Sequence, residues 1–236
     1  MLKYGVVVVS YDNEIYRSFD EIRSKQMISE GIPFAVIYNG REPTWKMREW
    51  EHYVKDERMN PTMYNKFVYI ANILLKNSTW SEIDYILRIN SSTFLNFKEL
   101  PRIFSQLPAN QCYAGRPLET FPYFPADKPV TSLSLSGVSG MYTVLSKDVI
   151  DKLFTFGIIE DNCNDDVALG AVMHKLNIPR TLINDHLINI NDIPNTEEKY
   201  NQALQYTFVR VKNETNRHID VHHWNELYAA YIKKYV

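Results

Sequence analysis

The chain has 236 residues, 45% hydrophobic and 23% charged, the balance of a globular protein long enough to fold around its own core. A formal charge of −2, from 26 basic and 28 acidic residues, excludes a broad basic face for nucleic acid but leaves room for a local basic pocket. Cys112 and Cys163 form no disulfide framework or zinc motif, and neither a membrane-length apolar run nor a leader-like segment opens the sequence, so one cytoplasmic domain with free thiols is expected.

Tyr4 to Ser10 is apolar at nearly every position, the mark of a strand buried on both faces. Glu14 to Glu30 carries Ile15, Phe19, Ile22 and Met27 at helical spacing, and Gly31 fits its stop. Ile32 to Tyr38 is a second strand, closed by the turn signal Asn39-Gly40, so the chain opens with a β-α-β unit. Arg41 to Arg58 is a charged, aromatic excursion, a short helix or an irregular segment. A helix from Asn60 to Lys76 and a strand from Asp84 to Ile89 follow. Phe97 to Leu107 reads as a helix and Gln111 to Gly115 as a short strand.

Leu118 to Pro129, rich in proline and aromatic residues, reads as a surface loop packed by its own rings. Gly137 to Leu145 is a strand, Ser146 to Phe156 a capped helix, and Asp165 to Leu176 another helix. A strand near Thr181 to Ile183, a strand from Tyr206 to Val211 and a helix from His223 to Tyr235 complete the chain. Alternating strands and helices imply an α/β fold with a mostly parallel sheet, whose ligands bind beyond the carboxyl ends of the strands.

Four segments in order carry a family resemblance. They are Tyr85 to Asn96 with its Asn90-Ser91-Ser92 turn, Tyr113-Ala114-Gly115, Ser136 to Asp148, and Asn164 to Gly170 followed by Leu176-Asn177-Ile178. Each resembles its counterpart in the GT-A glycosyltransferases, specifically the galactosyltransferase/Fringe-like group, in a short cytosolic form of bacterial or large-DNA-virus type. Thr62 and Lys66 match that group's upstream Leu-Thr-x-Lys helix more loosely. The resemblance implies a single Rossmann-like GT-A domain over 1–236. Residues 1–97 would form the donor half, 98–205 the acceptor and catalytic half, and 206–236 a strand and helix closing the donor site. It implies a nucleotide-sugar donor, UDP-linked, and an oligosaccharide or glycan acceptor, with no nucleic-acid partner.

The chain departs from the family where its Asp-x-Asp would stand. Asn90-Ser91-Ser92 offers neutral oxygens, whereas Mn²⁺ and Mg²⁺ favour carboxylates. The expectation is an inverting transferase that uses no metal, with a Mn²⁺ or Mg²⁺ enzyme as the alternative. Side-chain cations would then stabilise the leaving diphosphate. Arg88, Arg210, Lys212 and Arg217 are the candidates, joined on the donor side by Ser10, Tyr11, Asp12, Lys66, Asn90, Ser91 and Ser92.

Asp166, with Asp165 beside it, is the expected base, although acidic residues at a helix start also serve as caps. Gly137, Ser139 and Gly140 would let the backbone approach the sugar or acceptor, and Trp45 and Trp50 would meet the acceptor. His218, His222 and His223 read as surface or capping residues, with His222 or His223 able to reach a diphosphate. A second reading is a non-catalytic nucleotide-sugar or glycan-binding module, which the neutral turn favours. A nucleotidyltransferase would need a glycine-rich basic loop after the first strand, which Ser10 to Glu14 is not.

Overall fold

The computed structural model describes residues 3–39, 43–55, 63–123, 133–159, 164–196, 198–213 and 215–236, the side chains of 119–123 and 133–135 excepted. Thr62, Cys163 and the parts of the two irregular stretches at 41–42, 56–58 and 124–129 lie outside these residues. Strand β1 (Tyr4–Tyr11) leads through helix α1 (Glu14–Ser29) to β2 (Phe34–Asn39), the expected β-α-β unit. The charged excursion holds a short edge strand, β3 (Glu51–Tyr53), parallel to β2. Helix α2 (Met63–Leu75), β4 (Tyr85–Asn90), β5 (Thr93–Leu95) and a short α3 (Leu100–Phe104) come next.

β6 (Tyr113–Tyr123) and β7 (Leu133–Ser146) form a long antiparallel hairpin, followed by α4 (Lys147–Phe156) and α5 (Asp165–Lys175). The last elements are β8 (Arg180–Leu182), β9 (His186–Leu187), a 3-10 turn at Ile190–Asp192, α6 (Lys199–Ala203), β10 (Phe208–Arg210) and α7 (His218–Tyr235).

Among the described residues the central sheet has seven strands in the order β3-β2-β1-β4-β7-β6-β8. All adjacent pairs are parallel except those made by β7. The alternation of the β1 valines explains why every position there is apolar. Val6 and Val8 enter one core with α1 and α7, and Val7 and Val9 enter the other with α2, α4 and α5. A second sheet, β5-β10-β9, sits beyond the end of β4.

Two expectations are corrected. The stretch from Leu118 continues β6 as far as Tyr123, where a surface loop was expected. Pro117 and Pro122 are tolerated because β8 pairs only with Tyr113 to Gly115, so the rest of β6 is an edge with register shifts beside both prolines. Helix α7 also begins earlier than expected, at His218.

α7 is fastened to α6 and to the 3-10 turn by His223, which is buried. Its Nδ1 lies 3.0 Å from the Tyr200 hydroxyl and its Nε2 lies 3.2 Å from the Asn191 Oδ1. An amide oxygen only accepts, so Nε2 carries the proton and Nδ1 accepts from the tyrosine. Burial, with Lys199 and His222 nearby, pushes the pKa of His223 down to about 4. The unfolded chain, with an ordinary histidine near 6.5, therefore takes up a proton that the folded one refuses. Stability contributed by neutral His223 should be lost as pH falls from about 6.5 to about 4. Urea midpoints measured across that window should fall more steeply for the wild type than for His223→Gln.

Candidate active site

The sheet order reverses between β1 and β4, and a cleft of about 430 Å³ opens at their carboxyl ends. Eleven of the candidate residues line it: Tyr11, Arg88, Asn90, Ser91, Ser92, Ser139, Gly140, Asp165, Asp166, Arg210 and Lys212. Tyr11 ends β1 and Asn90 ends β4. Ser139 and Gly140 lie on β7, and the aspartates open α5. Arg210 ends β10 and lies opposite Thr93 in the small sheet, which carries it and Lys212 to the Asn90 turn.

Arg88 is buried in the floor. One guanidinium nitrogen is ion-paired with Asp165, and the other lies 3.5 Å from the carbonyl of Gly140. Burial lowers its pKa to about 10, opposed by the negative charge of Asp166, so it remains a cation at neutral pH. Asp166 is oriented by backbone donors. Gly140 N–H donates to Oδ2 at 3.1 Å and Val167 N–H to Oδ1 at 3.0 Å. One carboxylate thus balances the buried guanidinium, while its neighbour faces the cleft on two amides.

The Asn90 turn does not suit a hard divalent cation. Asn90 Oδ1 already accepts from the hydroxyl of Ser92 at 3.1 Å and lies 2.8 Å from that of Thr93, whose one proton is shared with the Met141 carbonyl at 2.8 Å. Asp165 is committed to Arg88, and no group of three or more His, Cys, Asp or Glu residues among the described residues could hold a metal. Neutral, engaged oxygens are poor ligands for Mg²⁺ or Mn²⁺.

The remaining candidates lie outside the cleft wall. Ser10 shares the inward face of Val6 and Val8, and its hydroxyl donates to the buried Asp20 at 2.6 Å. Asp12 is half-buried, its N–H 3.4 Å from the Asn39 carbonyl. Lys66 is buried beside Asn39, donating to its Oδ1 at 2.9 Å, and burial lowers its pKa. Arg217 pairs with Asp220 at 2.8 Å and lies over the Tyr16 ring, one layer behind the cleft. The Gly137 carbonyl accepts from Arg180 at 3.2 Å. Trp45 and Trp50 pack on Tyr38 and Phe34 near the β3 edge, under Arg17 and Arg48. His223 is committed to its internal network, as described above.

Four lining residues are not among the expected site residues: Val9, Tyr16, Met141 and Asn164. Tyr16 was legible in principle. Asn13 caps α1 by accepting from Tyr16 N–H at 3.0 Å, which sets Tyr16 in the first turn with its ring 5.9 Å from that of Tyr11. A second cavity, of about 640 Å³, lies at the amino ends of β1 and β2 among Tyr4, Ile32, Phe97 and Phe104. Its rim charges pair with each other, Lys3 with Glu82 and Lys98 with Glu30, which leaves it without convergent polar groups.

No protein-family model matches this sequence, and no curated protein matches it. Among solved structures, the fold is similar to a glycosyltransferase involved in the glycosylation of the major capsid of PBCV-1. That match has a TM-score of 0.53 and 12% identity, covering 94% of this chain and 99% of that one. The 4-diphosphocytidyl-2C-methyl-D-erythritol synthase from Anaerococcus prevotii matches at a TM-score of 0.43 and 8% identity, covering 76% of this chain and 86% of that one. The first likeness shows the fold: a mixed, mostly parallel α/β sheet flanked by helices, of the GT-A-like kind. Among the described residues no helix is long and apolar enough to cross a membrane.

Gly140 sets the spacing of the site. A Cβ built there would lie 3.4 Å from Arg88 Nη1 and 3.5 Å from Asp166 Oδ2. Gly140→Ala should therefore fit with small shifts. Gly140→Val should overfill the gap and cost about 1–3 kcal/mol in urea denaturation.

Proposed function

We propose that this protein is a glycosyltransferase that moves a sugar from a nucleoside diphosphate donor, UDP-linked, to a hydroxyl of a glycan acceptor. The transfer inverts the anomeric centre and uses no metal. The observation that carries this reading is the cleft itself. At the switch point of the sheet, an oriented carboxylate, Asp166, shares one cavity with Arg88, Arg210 and Lys212 around a neutral turn. The fold shared with a known glycosyltransferase supports it, as does the order of the four sequence segments.

Tyr11 and Tyr16 would flank the base of the donor, and Asn90 with Ser92 would meet its ribose or phosphates. Asp166 would take the proton of the acceptor hydroxyl as its oxygen forms a bond to the anomeric carbon. The bond from that carbon to the diphosphate breaks on the opposite face, and its electron pair stays with the departing diphosphate. Charge grows on that group in the transition state, where fixed cations are most effective, and Arg210 and Lys212 line the cleft beside the turn that would receive it. Ser139, Gly140 and Asn164 border the carboxylate and give the acceptor its approach.

The neutral turn also favours a second reading, a module that binds a nucleotide sugar or glycan without turning it over. Asp166→Asn separates the two. A transferase should lose roughly 10²–10⁴-fold in turnover while keeping its affinity for UDP. A binding module shows no turnover in the wild type, in donor hydrolysis or transfer assays against a panel of nucleotide sugars.

Excess EDTA tests the metal-free chemistry. Turnover should be unchanged by the chelator and by added Mn²⁺. Abolition by EDTA with recovery on Mn²⁺ would overturn that part of the mechanism.

A further inference from the structure

Behind the Asn90 turn lies a buried charge pair with no place in the mechanism above. Arg23 and Asp20, both on α1, are each 1% exposed and pair at 2.6 Å. Arg23 Nη2 donates to the carbonyl of Ser91 at 2.6 Å and also reaches that of Thr93 at 3.3 Å. The second oxygen of Asp20 accepts from Ser10 at the end of β1. The guanidinium lies over the indole of Trp224, 4.7 Å from its centroid, so α1, β1, α7 and the turn meet on one group.

Stability alone is a weak reason for this arrangement. A buried ion pair must offset the desolvation of both partners, and apolar residues of similar volume often serve a core as well or better. The pair here is also incompletely satisfied, since Arg23 Nε finds no hydrogen-bond partner among the described residues. What the fork does provide is direction. It draws the Ser91 carbonyl inward, while Val211 N–H takes the Ser92 carbonyl at 2.7 Å. Both carbonyls of the turn are thereby engaged by donors of the protein.

The geometry points to Arg23, seated on Asp20, as a positioning residue that orients the Ser91–Ser92 peptide so that Ser92 N–H serves as a donor to the anionic group of the ligand. A trans peptide is planar, with its C=O and N–H antiparallel. With the Ser91 carbonyl held against Arg23, the Ser92 amide must point the opposite way, and Ser92 lines the cleft beside Arg210 and Lys212. A turn that lacks carboxylates then receives phosphate with a backbone dipole. A flipped peptide would instead turn a carbonyl oxygen toward the same anion. This inference rests on the donor reading and adds to it the group that makes the turn receptive.

Calorimetric titration of the full chain with UDP, pyrophosphate and uridine tests it. Arg23→Met, Arg23→Lys, which keeps the charge but loses the fork, and a chain carrying the α-hydroxy-acid analogue of serine at 92 should each weaken UDP and pyrophosphate by roughly 10- to 100-fold. Uridine, which has no phosphate, should bind as it does to the wild type. Folded variants with wild-type affinity for UDP would overturn the proposal, as would an equal loss for uridine, which marks a purely structural role. Should Arg23→Met fail to fold, the ester chain decides the question: it keeps Arg23, removes the N–H, and leaves the Ser91 carbonyl in place as a weaker acceptor. Wild-type protein that binds neither UDP nor pyrophosphate would overturn the donor reading and this inference with it, whereas wild-type binding with unaltered variants overturns this inference alone.

Discussion

A guanidinium in the middle of a buried sheet is the constraint around which the cleft is built. Arg88 sits on β4 in register with Val7 on one side and Thr143 on the other, among strands that are otherwise almost wholly apolar. A charge so placed is costly unless an opposite charge reaches it. Asp165 meets it and Asp166 stands beside it, so the first turn of α5 must lie over the end of β4. The same contact sets Gly140 of β7 between the two, its carbonyl toward the arginine and its amide toward the aspartate. Helix, strand and hairpin are thereby fixed relative to one another by one balanced charge, and the carboxylates are placed at the cleft as a consequence.

What the sequence reveals of this arrangement depends on how local the signal is. The β1 valines show a doubly buried strand because its periodicity lies within a few residues. The Asp165-Asp166 helix start and the Asn90 turn are equally local, and the structure brings both to one cavity. Ser10 shows where position alone misleads. It stands at a strand end, yet it is in phase with Val6 and Val8 and so faces inward to Asp20. The parity of the strand held that information, and the proximity of the site outweighed it. Trp45 and Trp50 sit in a charged segment that looks exposed, but Phe34 and Tyr38 of β2 supply ring partners that no local pattern reveals. Arg23 was illegible for a related reason. Its carbonyl partner is 68 residues away in sequence, and on α1 it looks like any arginine of an amphipathic helix.

The long hairpin of β6 and β7 was hidden by its prolines. Proline removes a donor and is rare in a central strand, so a proline-rich stretch reads as loop. The reading fails because β6 changes character along its length. It is central while β8 lies alongside and becomes an edge after Gly115. An edge needs no donor on its open side, and a ribbon that shifts register twice can place its prolines where the ladder is already broken.

Strand polarity explains how cations from the far end of the chain reach a turn near its middle. β5 leaves the Asn90 turn, and β10 pairs with it antiparallel, Phe208 opposite Leu95 and Arg210 opposite Thr93. The chain beyond β10 therefore runs back toward the turn, and the next contact is Val211 N–H on the Ser92 carbonyl. Lys212 follows at the cleft, its carbonyl held by the Asn189 amide at 3.0 Å. A parallel pairing would have sent the same residues away from the site. The three-stranded sheet is small for a stabilising element, but its polarity and register decide where the positive charge arrives. On the proposed reading, the turn offers no carboxylate for a metal, and this delivery by backbone pairing is what would bring side-chain cations to a diphosphate there.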